Sequence, residues 1–230
     1  MKKSIFVFAA HPDDEVLGCG GTLARYANEG ATISVAFVAD GISSRGDTAP
    51  NSALFRTQLA ARRAAAKAAC GILGATVVSF GDFPDNRLDT VALLDIVKFM
   101  EDLLTQYRPD TVFTHYAGDL NVDHRRVHQA VETACRPQTG VSVKTIASFE
   151  VPSSTEWRLA GVSANFTPNW FIDISLWLDH KLRALDAYAM EMREWPHPRS
   201  RRAVEYLARW RGANVGVDAA ESYILGRQLS

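Results

Sequence analysis

Residues 5–15 read Ile5-Phe6-Val7-Phe8-Ala9-Ala10-His11-Pro12-Asp13-Asp14-Glu15. An apolar run rich in strand formers ends in a histidine and three acids, and Val16–Gly21 leads on into a helical pattern. In an open parallel sheet, ligands gather outside the carboxyl ends of the strands, so this tip is the first place to look for chemistry. Pro12 fixes its own φ and biases His11 toward extended backbone. Helix capping competes as an explanation, with Asp13 or Asp14 as the cap and Glu15 favouring the helix dipole. One acid suffices for a cap. Three in a row beside a histidine repel one another unless a cation compensates, so a metal is expected here, and one acid can serve both purposes.

The same alternation continues. Glu15–Glu29 reads as a helix stopped by Gly30, Thr32–Ala39 as a strand, and Asp40–Asp47 as a polar loop. Ala53–Leu73 is helical, Ala75–Phe80 a strand, Thr90–Tyr107 an amphipathic helix, Asp110–Thr114 a strand and His124–Cys135 a helix. This predicts one domain spanning residues 1–230, of Rossmann-like α/β class, with a mostly parallel sheet and helices on both faces. Beyond Val143–Phe149 the pattern loosens. Trp170–Ile174 reads as a strand, Leu176–Glu194 as one long helix broken at Trp195-Pro196-His197-Pro198, and Arg201–Arg211 as a basic helix. Gly18-Cys19-Gly20-Gly21 is only loosely similar to a phosphate loop. Its glycines fall inside the helix, behind acids that would repel phosphate. Close packing against the sheet is the expected use.

With 25 Lys and Arg against 26 Asp and Glu, the formal net charge is −1, which gives no global pull toward nucleic acid or anionic membrane. Cys19, Cys70 and Cys135 form no C-x-x-C pair, so neither a disulfide framework nor a zinc ribbon is expected, and a reducing, cytoplasmic setting fits. Lys2-Lys3 before Ile5–Ala10 is too short for a signal peptide, and no run reaches membrane-spanning length. The tryptophan- and arginine-rich C-terminal segment is a candidate face for a homo-oligomer.

A metal held by His11 and an adjacent acid needs at least one more ligand. The next strand-to-helix connection, His115-Tyr116-Ala117-Gly118-Asp119-Leu120-Asn121-Val122-Asp123-His124, should arrive at the same sheet edge. His124 opens a helix there, with His128 one turn later. Alone, His124 reads as a capping or surface histidine. Paired with the first loop it reads as a ligand. A His/Asp/His set leaves positions open for water and substrate, as in catalytic sites. Zn2+ leads, and the same ligands also suit Fe2+ or another divalent ion.

Ala10-His11-Pro12-Asp13-Asp14-Glu15 followed by Gly18-Cys19-Gly20-Gly21-Thr22 resembles the signature of the LmbE-like, or PIG-L, zinc-dependent de-N-acetylases. The similarity continues through Arg62, Leu73-Gly74, Phe83-Pro84-Asp85, Asn121-Val122-Asp123-His124, and Asp173 with Lys181. It implies His11, Asp14 and His124 as zinc ligands and Asp13 as general base. It further implies a small-molecule substrate carrying an N-acetyl group, usually on a glucosamine-type sugar, with acetate leaving. Two departures stand out. The family's first histidine of His-x-Asp-His is Asn121 here, and the glutamate usual after Arg62 is replaced by alanine at Ala64 and Ala65.

Asn121 can donate to an oxyanion but cannot act as an acid. The amine therefore takes its proton from Asp13 or from His115, His128 or His197. Arg45, in the loop over the expected site, is a candidate for a substrate phosphate or carboxylate, and equally for a solvated loop residue. Arg62 and Asp123 are further candidate substrate contacts, Asp123 also for bracing His124. Trp157 and Trp170 offer ring faces, with core packing the expected use of Trp170. Two other readings stay open: a non-heme iron enzyme, and a sugar- or nucleotide-sugar-binding protein whose catalysis has weakened with Asn121.

Overall fold

The computed structural model describes residues 2–44, 52–161 and 165–230. Among them the chain builds β1 (Ser4–Ala9), α1 (Asp14–Asn28), β2 (Thr32–Ala39), α2 (Ala53–Ile72), β3 (Thr76–Phe83), α3 (Leu93–Tyr107) and β4 (Thr111–His115). It continues through α4 (Val122–Ala134), β5 (Thr145–Phe149), β6 (Trp170–Asp173), α5 (Leu178–Asp186), α6 (Arg201–Ala213) and β7 (Ala220–Gln228). The strands form one sheet in the order β3-β2-β1-β4-β5-β7-β6. The first five pair in parallel, whereas β7 runs antiparallel to both β5 and β6.

The period of two along β1 divides the core. Ile5, Val7 and Ala9 face one side, where Val16 and Leu23 of α1, Ala66 and Ala69 of α2, Leu182 of α5 and Val204 of α6 cover them. Phe6, Phe8 and Ala10 face the other side, against Ile96 and Met100 of α3 and Val127 and Val131 of α4. A strand buried on both faces has no polar alternation, which is why β1 reads as a continuous apolar run.

The glycines in α1 serve packing, as expected. A Cβ on Gly18 would lie 2.2 Å from the Phe149 ring, and one on Gly21 would lie 2.6 Å from Ile174. The helix also breaks its own ladder at Cys19 (φ −145°, ψ 16°). Glu221 of β7 collects the released donors, accepting from Gly21 N at 3.0 Å and Thr22 N at 2.7 Å. Lys181 of α5 closes the arrangement, donating to Glu221 at 2.5 Å and to the Leu17 carbonyl at 2.8 Å. All of this is buried, so the pair is compensated by hydrogen bonds on every side.

Two expectations need correction. The helix foreseen over 176–194 is the short α5, and the chain then runs through successive turns. There Tyr188 points inward and Glu191 folds back onto α2. The final strand β7 was not foreseen at all. Trp170 packs in the sheet as expected, stacked on Phe113 with ring centroids 6.1 Å apart. No described helix is long and apolar enough to cross a membrane.

Candidate metal centre

The strand order reverses direction between β1 and β4, which lie side by side. That switch point opens a crevice at the carboxyl ends of the two strands. The loops after them carry His11–Glu15 and His115–His124, so both halves of the expected site meet there.

His11, Asp14 and His124 each present a ligating atom, all within 4.8 Å of one another. His11 Nδ1 lies 3.3 Å and His124 Nε2 3.4 Å from Asp14 Oδ2. That oxygen also accepts the His11 backbone N–H at 2.8 Å. The three side chains are buried, yet Asp14 Oδ1 and His124 Nε2 have no hydrogen-bond partner among the described residues. Buried polar atoms left unpaired are rare and costly. Two of them at the centre of a His/Asp/His cluster fit a divalent cation.

The electrostatics agree. Burial opposes ionisation of Asp14, but His124, His11 and His115 overcome it and hold its carboxyl well below the usual range. Burial likewise opposes charge on His124, yet Asp14 and Asp119 raise it to about 9. Asp123, Asp14 and Asp85 outweigh burial at His11 and raise it well above its ordinary value.

Each histidine of the cluster has a carboxylate close to its other ring nitrogen. His124 Nδ1 lies 3.1 Å from Asp119 Oδ1. Asp119 also takes the hydroxyls of Ser154 and Thr155 and is held at about 2, against burial, by His124 and both hydroxyls. His11 Nε2 lies 3.0 Å from both Asp85 Oδ1 and Asp123 Oδ2. Such carboxylates fix the ring orientation and the tautomer of a metal ligand.

Asp13 stands apart. It sits at φ 117°, an uncommon backbone conformation for a residue with a side chain. Burial pushes its carboxyl up to about 6, against the pull of Arg199. Oδ1 is unpartnered, and Oδ2 lies 3.2 Å from Arg199 Nη1. Its neighbour Glu15 is pushed by burial to about 8, receives the Tyr188 hydroxyl at 2.6 Å and accepts the Asp13 backbone N–H at 3.0 Å.

The remaining expected residues are distributed unevenly. Arg62 is buried and engaged, by Glu191 through Nη1 and by the Pro12 carbonyl at 2.9 Å through Nη2. Glu191 thus pairs with Arg62 where its own helix offers alanines, and Arg62 holds the loop before Asp13 through the Pro12 carbonyl. Asp123, expected at the substrate, lies behind His11, where it accepts Asn86 N at 2.6 Å and Leu88 N at 3.0 Å. Asn121 caps α4, with Oδ1 accepting Asp123 N at 2.8 Å and Nδ2 donating to Asn86 Oδ1 at 3.0 Å. Among the described residues, one Nδ2 hydrogen has no acceptor. His197 accepts Arg199 N at Nδ1 (3.0 Å), which leaves its proton on Nε2, and it meets Trp157 edge-on at 5.5 Å. Arg45 lies outside the described residues.

Two of the expected proton donors have other contacts. His115 accepts the Ala10 N–H at Nε2 (2.8 Å), and burial together with His124 holds it neutral. His128 donates Nδ1–H to the His115 carbonyl at 2.9 Å, bracing that loop. Asp119 and Arg199 are the residues that sequence reasoning missed. For Asp119 a signal existed, an acid in the same loop as a ligating histidine. For Arg199 there was none, because it arrives from a turn far along the chain.

This constellation has relatives. The sequence model described as PIG-L, GlcNAc-PI de-N-acetylase, matches residues 6–135, and the chain belongs to that family. An Escherichia coli protein named uncharacterized deacetylase YaiS is 30% identical over 158 residues, covering 66% of this chain and 76% of its own length. The 4-oxalmesaconate hydratase of Pseudomonas putida is 28% identical over 250 residues, covering 99% of this chain and 88% of its own. The fold matches that of the N,N'-diacetylchitobiose deacetylase of Pyrococcus horikoshii with TM-score 0.75 and 20% identity, over 98% of this chain and 84% of that one.

Proposed function

We propose that this chain is a divalent-metal-dependent N-deacetylase acting on an N-acetylated, glucosamine-type sugar or sugar conjugate. The observation that carries the reading is the convergence of His11, Asp14 and His124, with orphaned buried atoms at its centre, beside an unligated carboxylate, Asp13. Family membership and the deacetylases among its relatives support it.

When bound by His11, Asp14 and His124, a divalent ion supplies Lewis-acid polarisation of the acetamide carbonyl and lowers the pKa of water to about 7. Zn2+ is the expected ion for this donor set. Asp13 accepts the proton of the attacking water through its unpartnered Oδ1. The free Nδ2 hydrogen of Asn121 is available to the developing oxyanion. The new C–O bond forms, the C–N bond breaks, and the amine takes a proton from His197 Nε2 or back from Asp13. Acetate and the free amine leave.

Asp13→Asn should keep the metal and lose about 10²- to 10⁴-fold in turnover. His11→Ala should lose the metal itself. Acetate release from a panel of N-acetyl sugars is the direct test, and a panel without turnover by the metal-loaded protein would sink the proposal.

A second reading has its own support. The hydratase relative aligns over nearly the whole chain, and Asn121 stands where the family's proton-handling histidine does. The same metal and base would add water across a carbon–carbon double bond conjugated to a carboxylate. Loss of ultraviolet absorbance from such an enoate, without acetate release from any sugar, would decide for it.

A further inference from the structure

The guanidinium of Arg199 is held at the edge of the site by two of its three nitrogens. Nε donates to Ser153 Oγ at 2.6 Å, and Nη1 lies 3.2 Å from Asp13 Oδ2. Its backbone N–H is fixed by His197 Nδ1 at 3.0 Å. Nη2 has no acceptor among the described residues, and the side chain keeps 24% of its exposure. The other guanidinium at this loop, Arg62, is buried and engaged. Of these two described guanidiniums, Arg199 is the one that a bound molecule can reach.

Asp13, Asp14, Glu191 and Glu156 all act on this cation and keep it charged, while its Nη2 edge stays open. The loop that seats it through Ser153 continues to Trp157, half-exposed beside His197, and to Arg158. Arg158 Nε is buried and has no acceptor among the described residues. Arg158 presses on Arg125, whose own donors go only to the carbonyls of Asp119 and Leu120. Of the acids around Arg199, Glu156 accepts the Ser153 backbone N–H at 2.7 Å. A neutral sugar can offer the Nη2 edge only uncharged acceptors, which make weaker hydrogen bonds than an oxyanion. In addition, a guanidinium resting on the proposed base weakens it until something draws it away.

We propose that Arg199 selects substrates bearing an oxyanion, a carboxylate or a phosphate, close to the scissile bond. The anion takes the Nη2 edge in a charge-assisted pair and shifts the guanidinium off Asp13, freeing Oδ2 as the substrate seats. This rests on reading the crevice as the substrate site, and it names the substrate class within that reading.

The test is calorimetric binding to the metal-loaded protein, which needs no turnover. The ligands are N-acetylglucosamine, its 6-phosphate, and N-acetylmuramic acid, which separate phosphate from carboxylate. Wild type should bind at least one of the anionic ligands about ten- to a hundredfold more tightly than the neutral sugar. Arg199→Gln should erase that preference, and Arg199→Lys should restore part of it, with metal content unchanged in both. Equal binding of all three ligands by wild type, or a preference that survives Arg199→Gln, overturns the proposal. Should Arg199→Gln fail to fold, the wild-type comparison together with Arg199→Lys decides. A preference that follows Arg199 without any acetate release upholds anion selection while the deacetylase reading fails. Acetate release with no preference does the reverse.

Discussion

His124 Nδ1 lies 3.1 Å from Asp119 Oδ1, and Asp119 is itself held by Ser154 and Thr155. The ring is thus fixed before any ion arrives, with Nε2 aimed at Asp14. Asp119→Ala should weaken metal affinity by about 10- to 100-fold. Competition against a chromophoric chelator measures this, and an unchanged affinity would show that the ring needs no such support.

Metal binding should release protons. His124 rests at about 9, and His11 is also raised, so both imidazoles carry protons in the metal-free protein at neutral pH. Ligation requires at least their ligating nitrogens bare. Apparent affinity therefore climbs as pH rises from 6 toward about 9 and levels off above it. Titration calorimetry in buffers of different ionisation enthalpy should show more than one proton leaving per ion at pH 7. No buffer dependence would contradict the geometry.

Gly18→Ala should destabilise the fold by about 1–3 kcal/mol, because the added carbon falls 2.2 Å from the Phe149 ring in a closely packed layer. Denaturant unfolding checks this. Phe149→Leu in the same chain should return part of the loss, since the obstruction is the ring itself.

The three thiols should be silent. Cys19, Cys70 and Cys135 are buried, and burial pushes Cys135 up to about 12 and the others upward too. A disulfide exchange reagent at pH 8 should label none in the native protein and all in denaturant. Rapid labelling of one before unfolding would show that its site opens locally.

Much of this was readable in the residues, for physical reasons. A strand buried on both faces announces itself by continuous apolarity, and a ligand loop by charge that no fold would gather without use. The His11 and His124 loops met because sheet topology sends every parallel strand end to one edge. What was hidden came from long-range placement. The β7 strand reads Ala-Glu-Ser-Tyr-Ile-Leu-Gly-Arg-Gln, and its glutamate and glycine mask a strand whose pairing is set by β5 and β6. The 176–194 helix was overread because its composition favours helix, while tertiary contacts of Tyr188 and Glu191 with Glu15 and Arg62 bend the chain away after Asp186. Arg62 found a partner outside its own helix, which no local pattern encodes. Asn121 reads locally as an ordinary cap, and the structure uses it so.

The break in α1 carries one more lesson. The helix that begins at Asp14 is stapled, one turn past its first glycine, by Glu221 of β7. Those backbone donors find their acceptor 200 residues away in sequence, which ties the helix carrying Asp14 to the antiparallel end of the sheet.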